Sequence, residues 1–138
     1  MKNLLSTTLF FIGFLLLANL SASASGDTLT TASGIKYVQL TEGNGVHPIK
    51  NQKVKIIYSR KLATGEVVES NELSKPFEYK VDKTKVIPGI DEIIKQMSEG
   101  EELYCVIPPQ LAHGEKGVKG SVDPNATFYI YIQIIDIE

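Results

Sequence analysis

Between residues 35 and 134 the apolar side chains of this chain fall mostly at every second position, and only one stretch departs from that rhythm. A period of two places successive side chains on opposite faces of a β-strand, so the chain is committed to a sheet with one apolar face that something must cover. Val54, Ile56 and Tyr58 share a face within residues 53–62, Phe77, Tyr79 and Val81 repeat the pattern, and so do Leu103, Cys105 and Ile107, then Phe128, Ile130, Ile132 and Ile134. Glycine-bearing turns at residues 42–45 and 63–65 separate the first of these runs. The exception is VIPGIDEIIKQM, residues 86–97, where Ile90, Ile93, Ile94 and Met97 stand at i, i+3, i+4 and i+7 and form one stripe of an α-helix. Pro88 and Gly89 open that helix, Asp91 and Glu92 lie in its first turn where the helix dipole favours anions, and residues 98–100 close it. The expected fold class is α+β: an antiparallel sheet of about five strands with one short α-helix to cover its apolar face.

The first 24 residues stand apart from this pattern. Lys2, the apolar run of residues 9–18 and the small residues Ala22 and Ala24 have the layout of a secretory signal peptide with a cleavage site. Ten apolar residues are too few for a membrane span, which needs about 20, so no membrane attachment is expected after cleavage. Residues 25–33, small and polar, read as a flexible lead-in, and residues 34–138 as one domain, long enough to bury a core without staples. The secretory signal points to a secreted or periplasmic location.

Several chemistries find no support in the sequence. Acidic and basic residues are nearly balanced and interspersed, for a formal net charge of −2, so nucleic acid is not an expected partner. Cys105 is the sole cysteine and alternates with apolar neighbours, which marks it as a small buried hydrophobe. His47 and His113 are the only histidines and neither has a second ligand at metal spacing, so neither a metal nor a cofactor is expected. GEKGVKGS at residues 114–121 lacks the Gly-Lys-Ser order of a phosphate loop and reads as a surface loop.

Taken in order, TASGIKYVQLTEGNG (31–45), KIIYSRKLATGEVVESN (55–71), KPFEYKV with KVIPGIDEIIKQMSEGE (75–101), VIPPQLAHGEKG (106–117) and VDPNATFYIYIQI (122–134) resemble the FKBP-type peptidyl-prolyl cis-trans isomerases, in particular their secreted bacterial Mip-like group. The resemblance implies a strongly bent sheet wrapped around the helix, with a shallow apolar pocket between them. It also implies a reaction that suits a chain without nucleophile or metal, because rotating a prolyl amide makes and breaks no bond. The rotation only has to overcome a resonance barrier of about 18–20 kcal/mol. Tyr58, Ile87 and His113 occupy the positions that the resemblance makes catalytic. Ile87 would offer a backbone N–H to the ligand carbonyl, and His113 stands where the family has a hydroxyl-bearing tyrosine.

The substrate pocket implied in the same way comprises Tyr58, Val68, Glu69, Phe77, Val86, Ile87, Ile90, His113, Val122 and Ile130. Val68, Ile90 and Ile130 replace family aromatics and Glu69 replaces an aspartate, so the pocket should hold less aromatic volume. The expected partners are proline-containing unfolded or partly folded polypeptides, with weak activity on short peptides and weak macrolide binding, and the expected state is a monomer. The alternative is a non-catalytic binding module or holdase that kept the fold and lost its aromatic cage.

Overall fold

The computed structural model describes residues 26–138 except Thr84; the expected signal peptide lies outside the described residues. The chain runs β1 (Leu29–Thr30), β2 (Lys36–Thr41), β3 (Lys53–Lys61), β4 (Val67–Ser70), β5 (Phe77–Lys80), α1 (Pro88–Gln96), β6 (Glu102–Ile107), a 3-10 turn (Pro109–Leu111) and β7 (Phe128–Ile137). All pairings are antiparallel in one sheet ordered β1-β2-β6-β7-β3-β4, with β5 added beside β3.

The sheet therefore has seven strands rather than about five. The shortest of them is β1, within the segment expected as a mere lead-in: Leu29 pairs with Tyr37 and Thr30 with Lys36. Two exposed residues carry no alternation for a sequence reading to detect. The long neighbours β3 and β7 form the spine, and their register shifts between Lys55 and Ile56; a second irregularity at Arg60 and Lys61 lies on the β3–β4 side. Such bulges add local twist and let a sheet coil around what it covers.

What it covers is α1. Ile90, Ile93, Ile94 and Met97 join Val54, Ile56, Leu103, Cys105, Ile107, Phe128, Ile130, Ile132 and Ile134 in a single buried cluster. The helix starts two residues before the apolar stripe does, with Pro88 in its first turn, where a missing N–H costs nothing. Gly89 allows that first turn to press on the sheet, since a Cβ there would stand 2.4 Å from Ile107 Cγ2 and 3.1 Å from the Leu111 carbonyl oxygen. Asp91 accepts a hydrogen bond from the Asp82 N–H at 3.0 Å and pairs with Lys95, which also reaches Asp82. The first-turn acid thereby ties the helix to the left-handed corner at Asp82, whose φ is 63°. At the other end His47 Nδ1 lies 2.9 Å from the Met97 carbonyl oxygen.

Candidate active site

Three strand residues spaced by two, Ile56, Tyr58 and Arg60, line one side of a hollow between the sheet and the start of α1. β5 places Phe77 directly across from Ile56, and β4 places Glu69 across from Arg60. Lys85, Val86, Ile87, Pro88 and Ile90 supply the helix side, and Ala112 and His113, just beyond the 3-10 turn, complete the wall. The hollow measures about 480 Å³, within the range of about 300–1,000 Å³ that pockets for small ligands occupy.

The apolar part is built from aromatics held edge to face. Tyr58 and Phe77 meet at 6.1 Å between ring centroids and 73° between planes, while Tyr79 stacks on Phe77 at 6.2 Å. Asn71 sets the position of this wall. Its Oδ1 accepts from the Tyr58 N–H at 2.7 Å and its Nδ2 donates to the Ile56 carbonyl at 3.0 Å, bridging the edge of β3 where β4 has ended and β5 has not begun. Burial, helped by Glu69 nearby, keeps the Tyr58 phenol well above its usual range, so it remains a neutral hydroxyl.

Ile87 precedes the helix in an extended conformation, φ −62° and ψ 149°, and its carbonyl accepts the N–H groups of Ile90 and Asp91. No described residue accepts a hydrogen bond from the Ile87 N–H. The polar part gathers on Phe128, a fully buried ring. The His113 ring meets it edge to face at 5.8 Å, and the Arg60 guanidinium carbon lies 4.7 Å above its centroid. Arg60 Nη2 donates to Glu69 Oε2 at 3.0 Å. Burial first, and the Arg60 charge second, hold the His113 pKa below the ordinary histidine range, so near neutral pH its imidazole is uncharged. Desolvation pushes the Cys105 thiol up to about 12, as suits a buried side chain with no thiolate chemistry.

Of the ten residues expected around the pocket, Tyr58, Glu69, Phe77, Val86, Ile87, Ile90 and His113 surround one hollow. Val68, Val122 and Ile130 do not. Val68 neighbours Glu69 on β4, so the pleat turns it the other way and it packs half-buried on the core. Ile130 is fully buried in β7 opposite Arg60, whose long side chain occupies the wall instead. Val122 is buried near a separate hollow of about 620 Å³, formed with Leu62, Lys116 and Asp123 among others. The residues that the sequence reading missed are Ile56, Arg60, Lys85, Pro88 and Ala112. Ile56 and Arg60 were within reach of it, being two positions either side of Tyr58 on the same strand.

A family profile described as FKBP-type peptidyl-prolyl cis-trans isomerase matches residues 45–135. The chain belongs to the FKBP-type peptidyl-prolyl cis-trans isomerase family. It is 33% identical over 112 residues to a probable FKBP-type peptidyl-prolyl cis-trans isomerase of Haemophilus influenzae, covering 80% of this chain and 46% of that one. It is 31% identical to the peptidyl-prolyl cis-trans isomerase Fkbp12 of Drosophila melanogaster, covering 76% of this chain and 99% of that protein. The crystal structure of FkpA from Escherichia coli superimposes with a TM-score of 0.74 at 28% identity, over 80% of this chain and 51% of FkpA. The chain thus spans just under half the length of the Haemophilus relative and about half that of the FkpA chain.

Proposed function

We propose that this FKBP-family domain accelerates cis-trans isomerisation of X-Pro bonds in unfolded or partly folded secreted polypeptides. One observation carries the reading: an open hollow of about 480 Å³ remains between sheet and helix, walled by Tyr58, Phe77, Ile87 and Ile90. A planar prolyl amide has a strongly polarised carbonyl, and twisting it out of resonance lowers that polarity. A water-poor apolar wall therefore favours the twisted form over the ground state, and a donor aimed at the twisted carbonyl adds to the preference. In this site the Ile87 N–H is such a donor, the neutral imidazole of His113 and the hydroxyl of Tyr58 orient the chain around it, and Phe77 and Ile90 hold the proline ring. A thousandfold acceleration asks for only about 4 kcal/mol of differential stabilisation.

The aliphatic side chain of Ile90 makes this hollow less aromatic than the resemblance implies for the family, which supports weak macrolide affinity and modest rates on short peptides. The secretory layout of residues 1–24 supports a secreted or periplasmic location, and among the described residues no helix is long and apolar enough to cross a membrane. A proline-limited refolding reaction run with and without the protein at micromolar concentration tests the activity. A faster slow phase is expected; an unchanged one removes the catalytic reading and leaves a binding module.

A further inference from the structure

The reaction needs no charge, yet Arg60, Lys85 and Glu69 all line the hollow, and with His113 neutral the balance there is positive. Arg60 is no rim residue: its side chain is 13% exposed, against 50% for the Glu69 that it pairs with. The geometry of the pair is incomplete. One nitrogen, Nη2, meets one carboxylate oxygen, whereas a guanidinium presents five donors in a fork that fits a carboxylate with two parallel bonds. Nε is buried with no partner among the described residues. Packing alone does not call for such a group, because an ion pair whose carboxylate is half exposed adds little to stability. Cross-strand from Arg60 the core supplies Ile130, and along β3 it supplies Tyr58, so an apolar side chain would fit the surroundings. Phe128 lies under the guanidinium carbon in cation–π contact, which pre-organises the group.

We propose that Arg60 makes this site select prolyl bonds flanked by an acidic side chain, whose carboxylate takes up the donors of the terminal guanidinium nitrogens that Glu69 leaves unused. The proposal rests on the isomerase reading and narrows its substrate class. Glu69, half exposed, is well solvated and gives way or shares the guanidinium at little cost. Lys85, exposed at the mouth, adds attraction for the same sign of charge.

The test compares prolyl peptides that carry Glu, Gln or Lys immediately before the proline, and a second set with these residues immediately after it. Glu and Gln are nearly isosteric, so their ratio reads charge alone. At one or both positions the Glu peptide should be turned over about tenfold faster than Gln, with Lys slowest, since a charge-assisted bond to a carboxylate replaces a neutral one. Arg60→Met should bring the Glu/Gln ratio to one, and Arg60→Lys, a point charge without the fork, should retain part of it, with thermal melts showing that both variants fold. A ratio of one in the parent protein while the Gln peptide is turned over overturns the proposal, and so does a ratio that survives Arg60→Met. If no peptide is turned over, the isomerase reading fails on its own. Calorimetric titration of the same peptides then decides the Arg60 claim: tighter binding of Glu than Gln supports it, and equal or absent binding overturns it.

Discussion

Asn71 does for the site what a strand would otherwise do. The edge of β3 at Ile57–Tyr58 lies between its pairings with β4 and β5; there the Asn71 N–H bonds the Tyr58 carbonyl, and the side-chain amide adds an acceptor for the Tyr58 N–H and a donor to the Ile56 carbonyl. Asn71→Ala leaves the Tyr58 N–H without its protein acceptor and should cost about 1–3 kcal/mol in a denaturant titration at unchanged slope. Asn71→Asp keeps the acceptor and loses the donor, so its loss should be smaller. His113 makes a second residue-level prediction. Its depressed pKa means that, as pH falls, the unfolded chain binds the proton before the folded one does. Stability is then full above the unfolded value of about 6.5 and declines as pH drops from there towards the folded value. Comparing melting temperatures of the parent and His113→Gln across that window should show a shallower acid decline in the variant. Of these residues Tyr58 and His113 were readable from the sequence through the family resemblance, whereas Asn71 was not, because a polar residue after a strand looks the same whether it faces solvent or bridges a backbone edge.

At the level of elements, α1 is fixed less by its own propensity than by how closely it approaches β6. Replacing Gly89 by alanine should favour the isolated helix by up to about 1 kcal/mol. In the fold the added Cβ would come within 2.4 Å of Ile107 Cγ2 and 2.9 Å of its Cδ1. Overpacking of this kind costs about 1–3 kcal/mol, so the contact should outweigh the propensity and Gly89→Ala should lower the melting temperature. The shift also displaces Ile87 and Ile90, and peptide isomerisation should fall with stability. The helix was legible because four apolar residues at helical spacing have no strand interpretation, and its start was marked by Pro88. The short strands were less so: β1 has two residues, both exposed, and nothing in Leu29–Thr30 announces pairing with Lys36 and Tyr37.

At the scale of the whole molecule, the described residues form one buried apolar cluster, to which the helix and the long strands all contribute. Unfolding should therefore be a single cooperative event, with far-UV circular dichroism and the near-UV tyrosine signal, the chain having no tryptophan, following the same transition. Ile93→Ala, which removes a fully buried side chain where the helix meets the sheet, should cost about 2–5 kcal/mol without separating those two transitions. By itself the sequence determined the class of fold and the identity of the covering helix, because hydrophobic period is a local property of neighbouring residues. Only the tertiary structure decided which side chains share the hollow. Strand pairing across β3, β4 and β7 brought Arg60 and Glu69 together, set the Arg60 guanidinium over the ring of Phe128, and sent Ile130 into the core. That choice depends on register between segments up to 83 residues apart, from Val54 to Ile137, and register is settled by packing the whole sheet against α1 rather than by any stretch of chain alone.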